Sequence, residues 1–83
     1  MLIGFVSDEY YAAIPDVAIE FRSSGGDWLA VRSTASGAVL ANLPPGDYEI
    51  ALACRGFGSK RIRLKLPSAT PHHFRLLSDK LLG

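Results

Sequence analysis

Apolar and polar side chains alternate with a period of two along most of this chain, the pattern of strands with one buried face. Val17, Ile19 and Phe21 alternate with Ala18, Glu20 and Arg22, and Tyr48, Ile50 and Leu52 with Glu49, Ala51 and Ala53. Ile62, Leu64 and Leu66 alternate with Arg61, Arg63 and Lys65. Shorter strands are predicted over 2–7, 28–33, 38–43 and 72–77. Turn-forming clusters separate them: Ser23 to Asp27, Ala35 to Gly37, Pro44-Pro45-Gly46, Gly56-Phe57-Gly58 and Pro67 to Pro71. No stretch shows a 3.6-residue period bounded by a cap and a stop, and Ser78 to Leu82 is too short for an independent helix. Seven short strands predict an all-β fold, a seven-stranded antiparallel sandwich or barrel. The expected core is Val6, Val17, Ile19, Phe21, Val39, Leu43, Tyr48, Ile50, Leu52, Ile62, Leu64 and Phe74. Cys54 continues the inward face of Tyr48, Ile50 and Leu52.

Length and composition narrow the picture. The 83 residues make one domain, and 48% hydrophobic with 20% charged residues is globular composition. A single cysteine excludes an internal disulfide framework and a cysteine-based zinc cluster. The longest charge-free stretch, Ser33 to Gly46, is broken by glycine and proline, so no membrane insertion is expected. The first residues carry no signal-peptide pattern, which points to the cytoplasm if Met1 is the natural start. A net charge of +1 announces no nucleic-acid partner. Its distribution is uneven: residues 1–50 hold two basic and seven acidic residues, and residues 51–83 seven basic and one acidic.

Several short motifs resemble a known family. Gly4-Phe5-Val6-Ser7-Asp8 resembles the G-x-V-x-D opening of carboxypeptidase regulatory-like domains, which are transthyretin-like sandwiches. Ile14-Pro15-Asp16-Val17-Ala18-Ile19 is similar to the family's second strand. Gly37 through Tyr48, with its Asn42-Leu43-Pro44-Pro45-Gly46, resembles the family signature ending N-L-P-P-G-x-Y, and Gly56-Phe57 its Gly-aromatic pair. Ser33-Thr34 and Val39 depart from the usual Thr-Asp and aromatic. The resemblance covers roughly residues 3–66 and implies a Greek-key sandwich, expected over 1–77, and the leucines of the tail point to 78–83 beginning a linker to a further C-terminal region. It also implies a non-catalytic accessory or interaction module of a larger protein, with an extracytoplasmic address. The signature has a physical reading too. Pro44 and Pro45 end one strand, Gly46 lets the chain reverse, and the Tyr48 hydroxyl needs a partner where it re-enters the core.

Catalytic patterns fail on spacing. Tyr10-Tyr11 and His72-His73 supply the residue types of a two-tyrosine, two-histidine iron site. Adjacent strand residues, however, face opposite ways, so both histidines cannot reach one ion. Hydroxyisourate hydrolases need separated histidines and a C-terminal Tyr-Arg-Gly-Ser, whereas this chain ends Lys80-Leu81-Leu82-Gly83. An isopeptide bond needs an early lysine and a late asparagine; the lysines here are Lys60, Lys65 and Lys80, and the asparagine is Asn42. Gly56 to Lys60 lacks the spacing and following helix of a phosphate loop. No enzyme activity, metal or cofactor is therefore expected.

Two surface features remain as candidate sites. Tyr10, Tyr11 and Phe57 fall at one end of a sandwich with alternating loops, and Trp28 near the other. These aromatics either dock a partner or stack on a glycan, the carbohydrate-binding alternative, or they cap an undersized core. Arg61, Arg63 and Lys65, with Arg75 adjacent, form a basic stripe that either meets an anionic partner or is a solvated face paired with Glu20 or Glu49. Tyr10, Tyr11, Trp28, Leu29, Leu40, Leu77, Leu81 and Leu82 have no assigned place in the core. Docking against the rest of its own polypeptide or a second copy is the expected use of that surplus.

Overall fold

The computed structural model describes residues 1–66 and 69–78. Seven strands form in chain order: β1 (Leu2–Ser7), β2 (Ala18–Ser23), β3 (Trp28–Arg32), β4 (Ala38–Leu40), β5 (Gly46–Ala53), β6 (Lys60–Leu66) and β7 (His72–Arg75). The described residues contain no helix. A small sheet has the order β4-β1-β7 and a large sheet the order β3-β2-β5-β6. Both sheets contribute to one hydrophobic cluster: Ile3, Val6, Val39 and Phe74 from the small sheet, and Ile19, Phe21, Tyr48, Ile50, Leu52 and Leu66 from the large one.

Pairing is not antiparallel throughout, which corrects the sequence expectation. β1 runs parallel to β7, from Gly4 opposite His72 to Ser7 opposite Arg75, while the other four pairs are antiparallel. The reason is the regular reversal of the chain. Within each sheet, odd-numbered strands share one direction and even-numbered strands the other. Every pair of one odd and one even strand is antiparallel. β1 and β7 are both odd, and placing them side by side makes that pair parallel.

The predicted period holds where strands are central. Nine of the twelve expected core residues are buried, and Leu43, Ile62 and Leu64 pack against the core with one side open. Ile62 and Leu64 belong to β6, which has a neighbour on one side only. Ile3, Ile14, Ala41, Leu66 and Leu76 join the core as well. Cys54 is half-buried against it.

Two hydroxyls tie the ends of the molecule. Ser33, 6% exposed, accepts a hydrogen bond from the Val17 amide and donates one to the Ile14 carbonyl, both 2.8 Å. The Tyr48 hydroxyl finds its expected partner, donating to the Pro44 carbonyl at 2.6 Å. The Ser33 bonds satisfy buried backbone that would otherwise lose water without replacement.

Candidate functional site

The β1–β2 connection leaves the small sheet through a turn built on Asp8. Its Oδ1 accepts hydrogen bonds from the amides of Tyr10 (2.8 Å) and Ala12 (3.0 Å), and its carbonyl from the Tyr11 amide (3.1 Å). The Asp8 amide in turn donates to the Ala12 carbonyl. This closed network holds Tyr11 at φ 65°, a left-handed conformation that bulky side chains rarely adopt. Tyr10 and Tyr11 consequently stand out from the fold, 79% and 66% exposed.

β7 alternates beside this turn. Phe74 enters the core, and the His72 ring packs on it at 4.7 Å. His73 and Arg75 take the outer face: the His73 ring lies 5.5 Å from that of Tyr11, and the Arg75 guanidinium sits 4.8 Å over the same ring. The two histidines thus diverge, as strand geometry requires. Ser7 Oγ hydrogen-bonds His73 Nε2. A serine–histidine pair acts as a nucleophile when a third group orients the imidazole; among the described residues no carboxylate holds His73 Nδ1. No three His, Cys, Asp or Glu side chains converge on a metal position among the described residues.

Glu9 closes the same end. Its carboxylate accepts the Ser78 hydroxyl at 2.6 Å and the Ser78 amide at 2.9 Å, while Arg75 donates to the Glu9 carbonyl. The Ser78 hydroxyl, the Ser78 amide, Glu9's own amide and the nearby Arg75 charge hold the Glu9 carboxyl below its ordinary value, against a smaller opposing effect of burial. Ser78 therefore belongs to the folded end; the rest of the 78–83 segment, with Leu81 and Leu82, lies outside the described residues.

Phe57 shares this end but not this surface. It is half-buried against the core and bridges to Ser78, and no ring contact joins it to either tyrosine among the described residues. Trp28 lies at the opposite end, 65% exposed.

The basic stripe is interleaved with acid. On the outer face of the large sheet Glu49 stands opposite Arg63 and Asp47 opposite Lys65. Arg61 pairs with Glu49 at 3.8 Å, Arg22 with Glu20 at 3.3 Å and Arg32 with Asp16 at 3.4 Å. Such exposed pairs add little stability, about 0–1 kcal/mol each. They dress this face for water. Arg75 is not adjacent to the stripe in a sheet: it belongs to β7 in the other layer.

The outer face of the small sheet is different in kind. Leu2 pairs with Leu40, and Phe5 lies between Ala38 and His73, so these side chains share one face. Leu2, Phe5 and Leu40 are 39%, 43% and 51% exposed. Sequence reasoning placed Leu40 among the surplus residues and missed Leu2 and Phe5. The signal for Phe5 was available, since inward Val6 sends its neighbour outward.

No protein-family model matches this chain, and no curated protein matches it.

Proposed function

We propose that this chain is a non-catalytic accessory module, a Greek-key sandwich resembling the transthyretin-like carboxypeptidase regulatory-like domains, that docks through the outer face of its small sheet. The contrast between the two outer faces carries this reading. The large sheet alternates Glu20, Arg22, Glu49, Arg61 and Arg63 toward water, whereas the small sheet turns Leu2, Phe5 and Leu40 outward. A contiguous apolar face is the usual mark of an interaction surface. The order of chain reversals, the Pro44-Pro45-Gly46 turn and the Tyr48–Pro44 hydrogen bond agree with the family resemblance.

The occupant is a second copy. A two-fold axis across the strands lays the leucine end of one face over the Tyr11–Arg75 end of the other. Because Leu2 and Arg75 lie at opposite ends of the face, that arrangement keeps the two Arg75 guanidinium groups apart. A stable interface of this kind covers at least about 1,000 Å² in total. Sedimentation equilibrium at micromolar concentration tests it. The native chain is expected to dimerise, Phe5→Glu and Leu40→Glu to be folded monomers, and Ala30→Glu on the other sheet to dimerise normally. A native chain that remains monomeric across this range overturns the docking reading.

A further inference from the structure

Two turns distant in sequence meet at the end of the molecule opposite Tyr11. The β2–β3 turn contributes Ser24 and Asp27, the start of β3 Trp28, and the β4–β5 connection Asn42 and Pro44. Between them opens a cleft of about 390 Å³, within the range of small-molecule sites. Phe21 and Tyr48, almost wholly buried, form its apolar floor. Trp28 stands at the mouth on an edge strand.

We propose that this cleft binds a short neutral saccharide, with one pyranose ring stacked on the Trp28 indole. Three observations define the ligand class. The exposed indole offers a broad flat face for the C–H side of a sugar ring. Around it stand groups suited to hydroxyls. The carboxylates of Asp27 and Asp47 accept no hydrogen bond among the described residues, Ser24 carries a hydroxyl, and Asn42 an amide whose Oδ1 accepts from the Met1 ammonium at 3.2 Å. Finally, Asp27 and Asp47 line the cleft while no lysine or arginine does, so the lining side chains disfavour phosphates and acidic sugars, against the single positive charge of the Met1 ammonium at Asn42.

The site is also held in shape. The Ser23 amide donates to the Asp27 carbonyl at 2.8 Å, and the Asp27 amide to Ser23 Oγ at 3.1 Å, fixing the turn that carries Asp27 and Trp28. The Tyr48–Pro44 hydrogen bond fixes the opposite wall. Little ordering is left for the protein to undergo when a ligand enters. A cationic ligand is the less suitable occupant, because cages for such groups surround them with several aromatic faces. Here Trp28 is open, whereas Phe21 and Tyr48 lie beneath the surface.

Trp28 is the only tryptophan in the chain, so its emission reports on this cleft without a label. The probes are cello-, xylo-, malto-, manno- and chito-oligosaccharides, with oligogalacturonate and tetramethylammonium as charged comparisons. At least one neutral oligosaccharide is expected to shift the emission saturably by millimolar concentration, with calorimetry giving the same affinity. Trp28→Ala removes the calorimetric signal with unchanged circular dichroism. Asp27→Asn weakens binding about tenfold, the scale of one charge-assisted hydrogen bond. Phe5→Glu, on the small sheet, leaves the affinity unchanged, which separates this site from the docking face. The proposal is overturned if no neutral probe binds by millimolar concentration, if a charged probe binds more tightly than every neutral one, or if Trp28→Ala binds as the native chain does.

Discussion

Arg75 lays its guanidinium over the Tyr11 ring, 4.8 Å from the centroid, and so fastens the β1–β2 turn to the edge of the small sheet. The contact exists because Tyr11 is held at φ 65° by the hydrogen bonds to Asp8. Alternation on β7 brings Arg75 to the outer face beside it.

That conformation makes a first prediction. A left-handed residue with a Cβ costs about 1–2 kcal/mol, and glycine avoids most of it. Tyr11→Ala and Tyr11→Gly both lose the ring and its contact with Arg75, so their difference isolates the backbone. Tyr11→Gly is expected to be more stable than Tyr11→Ala by about 1 kcal/mol in urea denaturation. Equal stabilities would mean that Tyr11 is not left-handed in solution.

Glu9 supplies a pH-dependent prediction. Its folded carboxyl titrates below the ordinary value of about 4.5, because the ionised form accepts both Ser78 bonds and lies near Arg75. A depressed folded pKa stabilises the folded end above the unfolded value, and that contribution disappears as pH falls through the folded value. The Glu9–Ser78 contact is therefore intact at neutral pH and opens in the acid range below about 4.5. The Ser78 amide resonance should follow this titration by NMR, and Glu9→Gln should abolish the transition. A midpoint at or above the ordinary value would contradict the contact.

Legibility followed the reach of each physical signal. The alternation of Tyr48, Ile50 and Leu52 is a local property of a central strand, and the burial matches it. Ile3 was missed because β1 is irregular between Leu2 and Gly4, which turns both Ile3 and Val6 inward although a strict period of two would separate them. The parallel β1–β7 pair depends on which strands become neighbours, something the local pattern of neither strand contains. Phe57 was open to two readings, a docking aromatic or a cap on a small core, and the turn folds it back against the core. The Trp28 cleft needs two turns brought together from different parts of the chain, so the sequence pointed to the indole but not to its surroundings. Tyr10, Tyr11, Trp28, Leu29, Leu40 and Leu77 do stay exposed, as their lack of a core position implied.

The parallel pair itself rests on Gly4. Gly4 faces the core opposite His72 and Val39. A Cβ there would lie 2.0 Å from the His72 carbonyl oxygen, 2.9 Å from its carbon and 3.0 Å from a Phe74 ring atom. The first two are backbone atoms and cannot swing aside. Relief would require β7 to move away from β1, breaking the hydrogen bonds between them and opening the core around Phe74. Gly4→Ala is therefore expected to cost about 3 kcal/mol, the upper end of the range for overpacking that forces backbone shifts. Gly25 is the comparison, since a Cβ there meets only Ser23 Oγ at 3.8 Å. Gly25→Ala should stay within about 0.5 kcal/mol of the native chain, as exposed substitutions usually do. Urea denaturation of both variants decides the matter: a Gly4→Ala chain as stable as Gly25→Ala would show that β1 and β7 are not paired in this register.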